Sequence, residues 1–193
     1  MKSLQYWLLP TLAVVASCSK EPQQAAPDKQ VAQLTFREAM KDGVDKHADE
    51  LWDLSNKSIG DKAGIDTSKM TNASWNELAD EADAVQKAAL VIVNMNPIVV
   101  VKPGVKIGDE GGPGGHTGAQ VQRLVDKDPQ KLRDMADVLA VHMGDLAKGA
   151  RAHDGAKVGP RIDQLDGVCE DCHLEFWYPD QKELINRFRK ATS

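Results

Sequence analysis

Apolar residues recur at alternating steps of three and four along four stretches of the chain, the spacing that turns one face of a helix towards a core. The first stretch runs from about Thr35 to Asn56 and aligns Phe36, Met40, Val44, His47, Leu51 and Leu54. Thr35 and Glu38 at its start have the spacing of a capping box, in which each side chain satisfies an orphan backbone donor. The second runs from about Ala73 to Met95, with Trp75, Leu78, Ala82, Val85, Ala89, Ile92 and Met95 in register, Asn72 or Ser74 as its cap and Pro97 beyond its end. The third is expected from Pro129 to Ala152, with Asp128 as cap and Pro129 at the first helical position. It turns Leu132, Met135, Leu139, His142 or Met143, Leu146 and Ala150 inward, and residues 119–127 add a helical turn or two in front of it. The fourth, from Asp154 or Pro160 to about Phe176, aligns Ile162, Leu165, Cys169, Cys172 and Phe176.

Between the second and third stretches, residues 96–118 carry three prolines and a glycine cluster and read as a long crossover loop. Ile98-Val99-Val100-Val101 is the one β-branched run, and a lone strand has no partner. Short first and third connections with a long middle one predict an all-α fold, an up-down-up-down four-helix bundle. The tail, 179–193, is expected as a short extra helix or a frayed end.

The N-terminus reads as an address. Residues 4–16 form an apolar run too short to span a bilayer comfortably, and it ends in Val15-Ala16-Ser17-Cys18. That ending resembles the lipobox of bacterial lipoproteins, which implies a signal peptide over 1–17, cleavage before Cys18 and lipidation of Cys18. Ser19 after the cysteine favours the outer membrane by resemblance to sorting patterns. Residues 18–34 are polar and suit a flexible tether. The lipid would hold the domain to the periplasmic side of the envelope without a spanning helix. A formal charge of −5 over 193 residues argues against nucleic acid as a partner.

If Cys18 carries lipid, the remaining two of three cysteines form one Cys-x-x-Cys pair followed at once by histidine: Cys169-Glu170-Asp171-Cys172-His173. Two thiols three apart on a helix project from one face and can bond the two vinyl groups of a porphyrin, while the next residue aims its imidazole at the iron. Zinc would need about four ligands, and His47, His116, His142 and His153 are scattered. A thioredoxin-like pair belongs at the start of a helix after a strand. A disulfide over this spacing would be strained and close almost no loop. One covalent haem c, held by Cys169 and Cys172 with His173 as proximal iron ligand, is the expected cofactor.

With this motif near the C-terminus of an all-helical chain, and an aromatic Phe176 three residues past the histidine, the sequence resembles the class II c-type cytochromes, typified by cytochrome c-prime and its low-spin relatives. The resemblance spans about 31–178, which sets a cytochrome domain over 35–178. It implies a haem near the C-terminal end of helix four whose sixth position faces helix one, filled by methionine in low-spin members and lined by an apolar residue in high-spin ones. Met40, in the second turn of helix one, is the candidate distal ligand, although Arg37 precedes it by three residues where the family pattern has four. His47, Met95 or no ligand at all are the alternatives, and His116 in the glycine loop is expected to be solvated. Arg37, Arg151 and Arg161 are candidate propionate partners, and Trp52, Trp75 and Phe176 are expected in the core or at the haem edge. The resemblance implies a single-haem electron carrier rather than an enzyme, with redox proteins of the envelope as partners and a possible homodimer. The alternative is a five-coordinate haem protein binding NO or CO.

Overall fold

The computed structural model describes residues 33–59, 64–112 and 114–192. The described residues are helical, with no strand among them beyond an isolated antiparallel bridge between Ile59 and Ile65. The expected signal peptide, Cys18 and nearly all of the tether lie outside them. No helix among the described residues is long and apolar enough to cross a membrane.

The first helical run begins as α1 (Phe36–Ala39), passes through a π-helical segment (Met40–Asp45) and continues as α2 (Lys46–Lys57). Its start is the predicted capping box: Glu38 N–H donates to the Thr35 hydroxyl and Thr35 N–H to the Glu38 carboxylate. Lys102 also pairs with Glu38 and, with Thr35, pulls its carboxyl pKa down to about 2. Phe36 and Arg37 N–H find acceptors in the carbonyls of Val99 and Val100. The β-branched run is therefore an extended segment that completes a helix N-terminus. Gln122 satisfies its other side, accepting from Val100 N–H and donating to the Ile98 carbonyl.

The π segment moves the buried face by one residue. The buried residues of this run are Phe36, Ala39, Val44, Ala48, Leu51 and Ser55, with a five-residue step from Ala39 to Val44. The step also presents Gly43 to the next helix, where an added Cβ would lie 2.7 Å from Cβ of Ala88. Gly43→Ala is expected to cost about 1–3 kcal/mol through overpacking, read as a lower urea midpoint, with partial rescue by Ala88→Gly. An unchanged midpoint would rule out this close approach.

Helix α3 (Asn72–Val93) buries the predicted face, Trp75, Leu78, Ala82, Val85, Ala89 and Ile92, with Met95 just beyond. Its cap is Thr71, whose hydroxyl accepts from Ser74 N–H, and not Asn72 or Ser74. Threonine wins because it holds an extended backbone while Asn72 is already helical. Residues 119–127, expected as a turn or two, belong to a separate helix α4 (Gly118–Lys127) with its own capping box, Thr117 and Gln120. Helix α5 (Pro129–Arg151) starts as predicted, Asp128 capping it and Pro129 in its first turn. Helix α6 (Gly155–Phe176) is capped by Asp154 and runs through Pro160. After a 3₁₀ turn (Pro179–Gln181), the tail forms helix α7 (Lys182–Thr192).

Helices α3 and α5 make the most intimate pair, with Gln86 donating to the Ala140 carbonyl over Gly144. Helix α5 packs on α6, and α2 packs on α3. Both candidates for the inward position of α5, His142 and Met143, are buried. His142 Nε2–H donates to the Arg161 carbonyl at 2.7 Å, and desolvation lowers its pKa below the ordinary 6.5. The unfolded chain therefore binds the proton more readily, and His142 contributes stability that is full above about pH 6.5 and lost as pH falls below it. His173 is shifted the same way, so the test is a difference. Between pH 7.5 and 5 the melting temperature of wild type should fall more than that of His142→Gln, and parallel curves would remove His142 as a source.

Candidate functional site

Near the C-terminal end of α6, Cys169 and Cys172 are free, half-buried thiols packed against the core. Both follow from the stripe that also buries Leu165 and Phe176. Burial is the main cause that raises the Cys169 pKa to about 11 and the Cys172 pKa to about 12, with the carboxylates of Asp166 and Asp45 adding to the first. Burial thus favours the S–H form of both at neutral pH. Among the described residues no three His, Cys, Asp or Glu side chains form a group able to hold a metal ion.

His173, half-buried, is shifted below its ordinary pKa, first by desolvation, so its imidazole is neutral. Its ring lies 6.4 Å from that of Trp177 and 6.2 Å, edge-on, from that of Tyr178. Neither ring nitrogen has a hydrogen-bond partner among the described residues. The His173 carbonyl accepts from Trp177 N–H at 2.7 Å and Tyr178 N–H at 2.8 Å, which ends the helix and folds both aromatics back beside the imidazole.

The end of α6 meets the start of α1: the rings of Phe36 and Trp177 lie 5.7 Å apart and tilted. Lys131 at the start of α5 pairs with Glu175 at 2.5 Å, so that helix also begins at this end. Further along, the backbones of α2 and α6 hardly approach each other, although each packs on its other neighbour. Asp45, the last residue of the π segment, is exposed, yet desolvation raises its pKa and its charge acts on His173 and Cys169. It is the acidic group that faces the motif from the first helical run.

The crossover loop clasps the same end. Trp177 Nε1–H donates to the Gly108 carbonyl at 3.4 Å, and the Tyr178 hydroxyl donates to the Asp109 carboxylate. Burial and this bond raise the Tyr178 pKa to about 12. His116, expected to be solvated, is 15% exposed; its Nδ1 is buried without a partner, and its backbone N–H donates to the Trp177 carbonyl. The loop folds inward here because the backbone groups at the end of α6 need partners.

The other candidates fall as follows. Met40 begins the π segment, half-buried, one turn beyond Phe36, and packs against the core that Cys169, Cys172 and Trp177 also line. His47 Nδ1 lies 2.6 Å from the Glu81 carboxylate, so the ring is engaged by α3. Met95 is core, 6% exposed. Trp75 and Phe176 are buried and Trp52 is half-buried. Two of the three arginines are occupied elsewhere: Arg151 pairs with Asp83 and Asp80 on α3, and Arg161 with Asp145 at 3.0 Å. Arg161 is eight residues before Cys169, about 12 Å along the helix. Arg37, beside Phe36, is the one at the motif end.

The α6 motif, Met40 and Arg37 were all picked out by type and spacing. Asp45, Asp109 and the clasp were not, because they reach the site through long-range contacts that leave no local periodicity. Comparison of the chain with family models, with curated proteins and with solved structures returned no match.

Proposed function

We propose that this protein is a single-haem c-type cytochrome of the bacterial cell envelope that carries electrons between redox proteins. One observation carries the reading: two half-buried free thiols three residues apart on one helix, followed directly by an imidazole whose ring nitrogens have no hydrogen-bond partner among the described residues. That donor set suits a group that takes two thioether bonds and one nitrogen ligand. Cys169 and Cys172 would hold the haem, His173 would ligate its iron, and Met40 is the proposed sixth ligand. When bound, haem supplies a one-electron couple whose potential is set by axial ligation and burial.

The chain's own residues do the rest. Trp177 and Tyr178 flank the His173 ring, and Gly108, Asp109 and His116 of the crossover loop hold that end. Arg37 is proposed for a propionate. In this reading the run α1–π–α2, with α3, α5 and α6, forms the up-down-up-down four-helix bundle of the class II cytochromes. The haem would lie between the first helical run and α6, whose backbones hardly approach each other beyond their ends. Export through residues 1–17 and lipidation of Cys18 would hold the domain at the periplasmic face, with the outer membrane favoured. The test is a haem stain of the exported wild-type chain after denaturing electrophoresis. A band at the protein's position supports covalent haem, and a colourless band overturns it.

A further inference from the structure

Helix α7 contributes nothing to the core: none of its residues from 182 to 191 is buried. It is held along α6 by charges. Lys182 pairs with Glu175, and Arg189, two turns further on, spans two acceptors: its Nη1 donates to Asp171 at 2.6 Å and its Nη2 to Glu170. Glu170 and Asp171 are the two residues between Cys169 and Cys172. A single guanidinium, whose planar fork suits two acceptors at once, thus closes a strap over the attachment motif. The surroundings of His173 are otherwise acidic, for Asp45, Asp109, Asp166 and Glu170 all act on its ring as negative charges.

We propose that Arg189 is a positioning residue for the redox centre, neutralising the two carboxylates carried between the haem cysteines and so holding the haem's reduction potential up. The inference rests on the cytochrome reading above. Reduction adds one electron to the centre, and uncompensated negative charge nearby opposes it by Coulomb repulsion. Glu170 and Asp171 lie within one helical turn of His173, so their charge acts at close range. Their side chains are 37% and 57% exposed and that of Arg189 is 41% exposed, so solvent screens the effect to a modest size.

The experiment is potentiometric titration at low ionic strength of the haem-loaded full chain, in wild type, Arg189→Gln, Arg189→Lys and Glu170→Gln/Asp171→Asn. Arg189→Gln should lower the equilibrium constant for reduction about threefold, which is about 30 mV for one electron. Arg189→Lys keeps the charge and should stay closer to wild type than Arg189→Gln. The double carboxylate variant should move the potential upward, and this arm decides the matter if Arg189→Gln does not fold. A merely structural strap would not give shifts that follow the sign of the charge. Haem-loaded variants with wild-type potentials would overturn the role of Arg189 alone, whereas a wild type without attached haem would overturn the cytochrome reading beneath it.

Discussion

Replacing both thiols, Cys169→Ala with Cys172→Ala, is expected to abolish covalent haem completely, so that the exported chain gives no haem stain after denaturation. The expectation follows from what these thiols are. With pKa values raised to about 11 and about 12, the pair is protonated throughout the neutral range. Two half-buried S–H groups on one helical face offer a pair of bond-forming positions against the core. Each single variant retains one such position and should keep a reduced stain. Alanine at both positions leaves the helix intact, since it is the best helix former. Circular dichroism should therefore show a helical protein without haem. A stain that persisted in the double variant would place the attachment elsewhere and end the assignment to this motif.

The stripe of α3 was legible in the sequence because seven positions from Trp75 to Met95 keep one period without interruption, and burial follows them all. The start of α5 was legible because Asp128 and Pro129 each have a local mechanism, a side-chain acceptor and a preset φ. The first helix was legible in extent but not in phase. Its stripe assumed one period throughout, whereas the π segment inserts a residue between Ala39 and Val44, and nothing in Met40–Asp45 announces that except Gly43, whose missing side chain admits Ala88. Cys169, Cys172 and His173 were legible as one group because their spacing alone sets them near one another on a helix. Their surroundings were not: the His47–Glu81 pair, the Trp177 and Tyr178 bonds to the crossover loop and the reach of Arg189 all join residues 18 or more apart in sequence. Such contacts are set by how the helices dock, and period and propensity carry no information about docking.

Substituting Met40 by alanine is expected to have the second largest effect, converting a six-coordinate low-spin haem into a five-coordinate high-spin one. Three links lead there. The Thr35–Glu38 box fixes where α1 begins. The Phe36–Trp177 contact brings that beginning to the end of α6, where His173 lies. Met40 follows Phe36 by one turn, half-buried on the core side, at the point where the π segment opens the helix, and π segments recur at functional positions. The rivals for the sixth position have other duties: His47 is bound to Glu81, and Met95 is packed in the core. His47→Ala and Met95→Ala should therefore leave the spectrum of the haem-loaded protein unchanged. Met40→Ala should lose its low-spin bands, and carbon monoxide affinity should rise. A sixth position open only one part in ten lowers apparent affinity about tenfold, and the variant removes that penalty. The contrary result is equally sharp. A wild type that is already high-spin, binds carbon monoxide and does not change on Met40→Ala would remove Met40 as ligand. The protein would then be a five-coordinate binder of NO or CO in place of an electron carrier, because a centre with an open sixth position is built to take a ligand there.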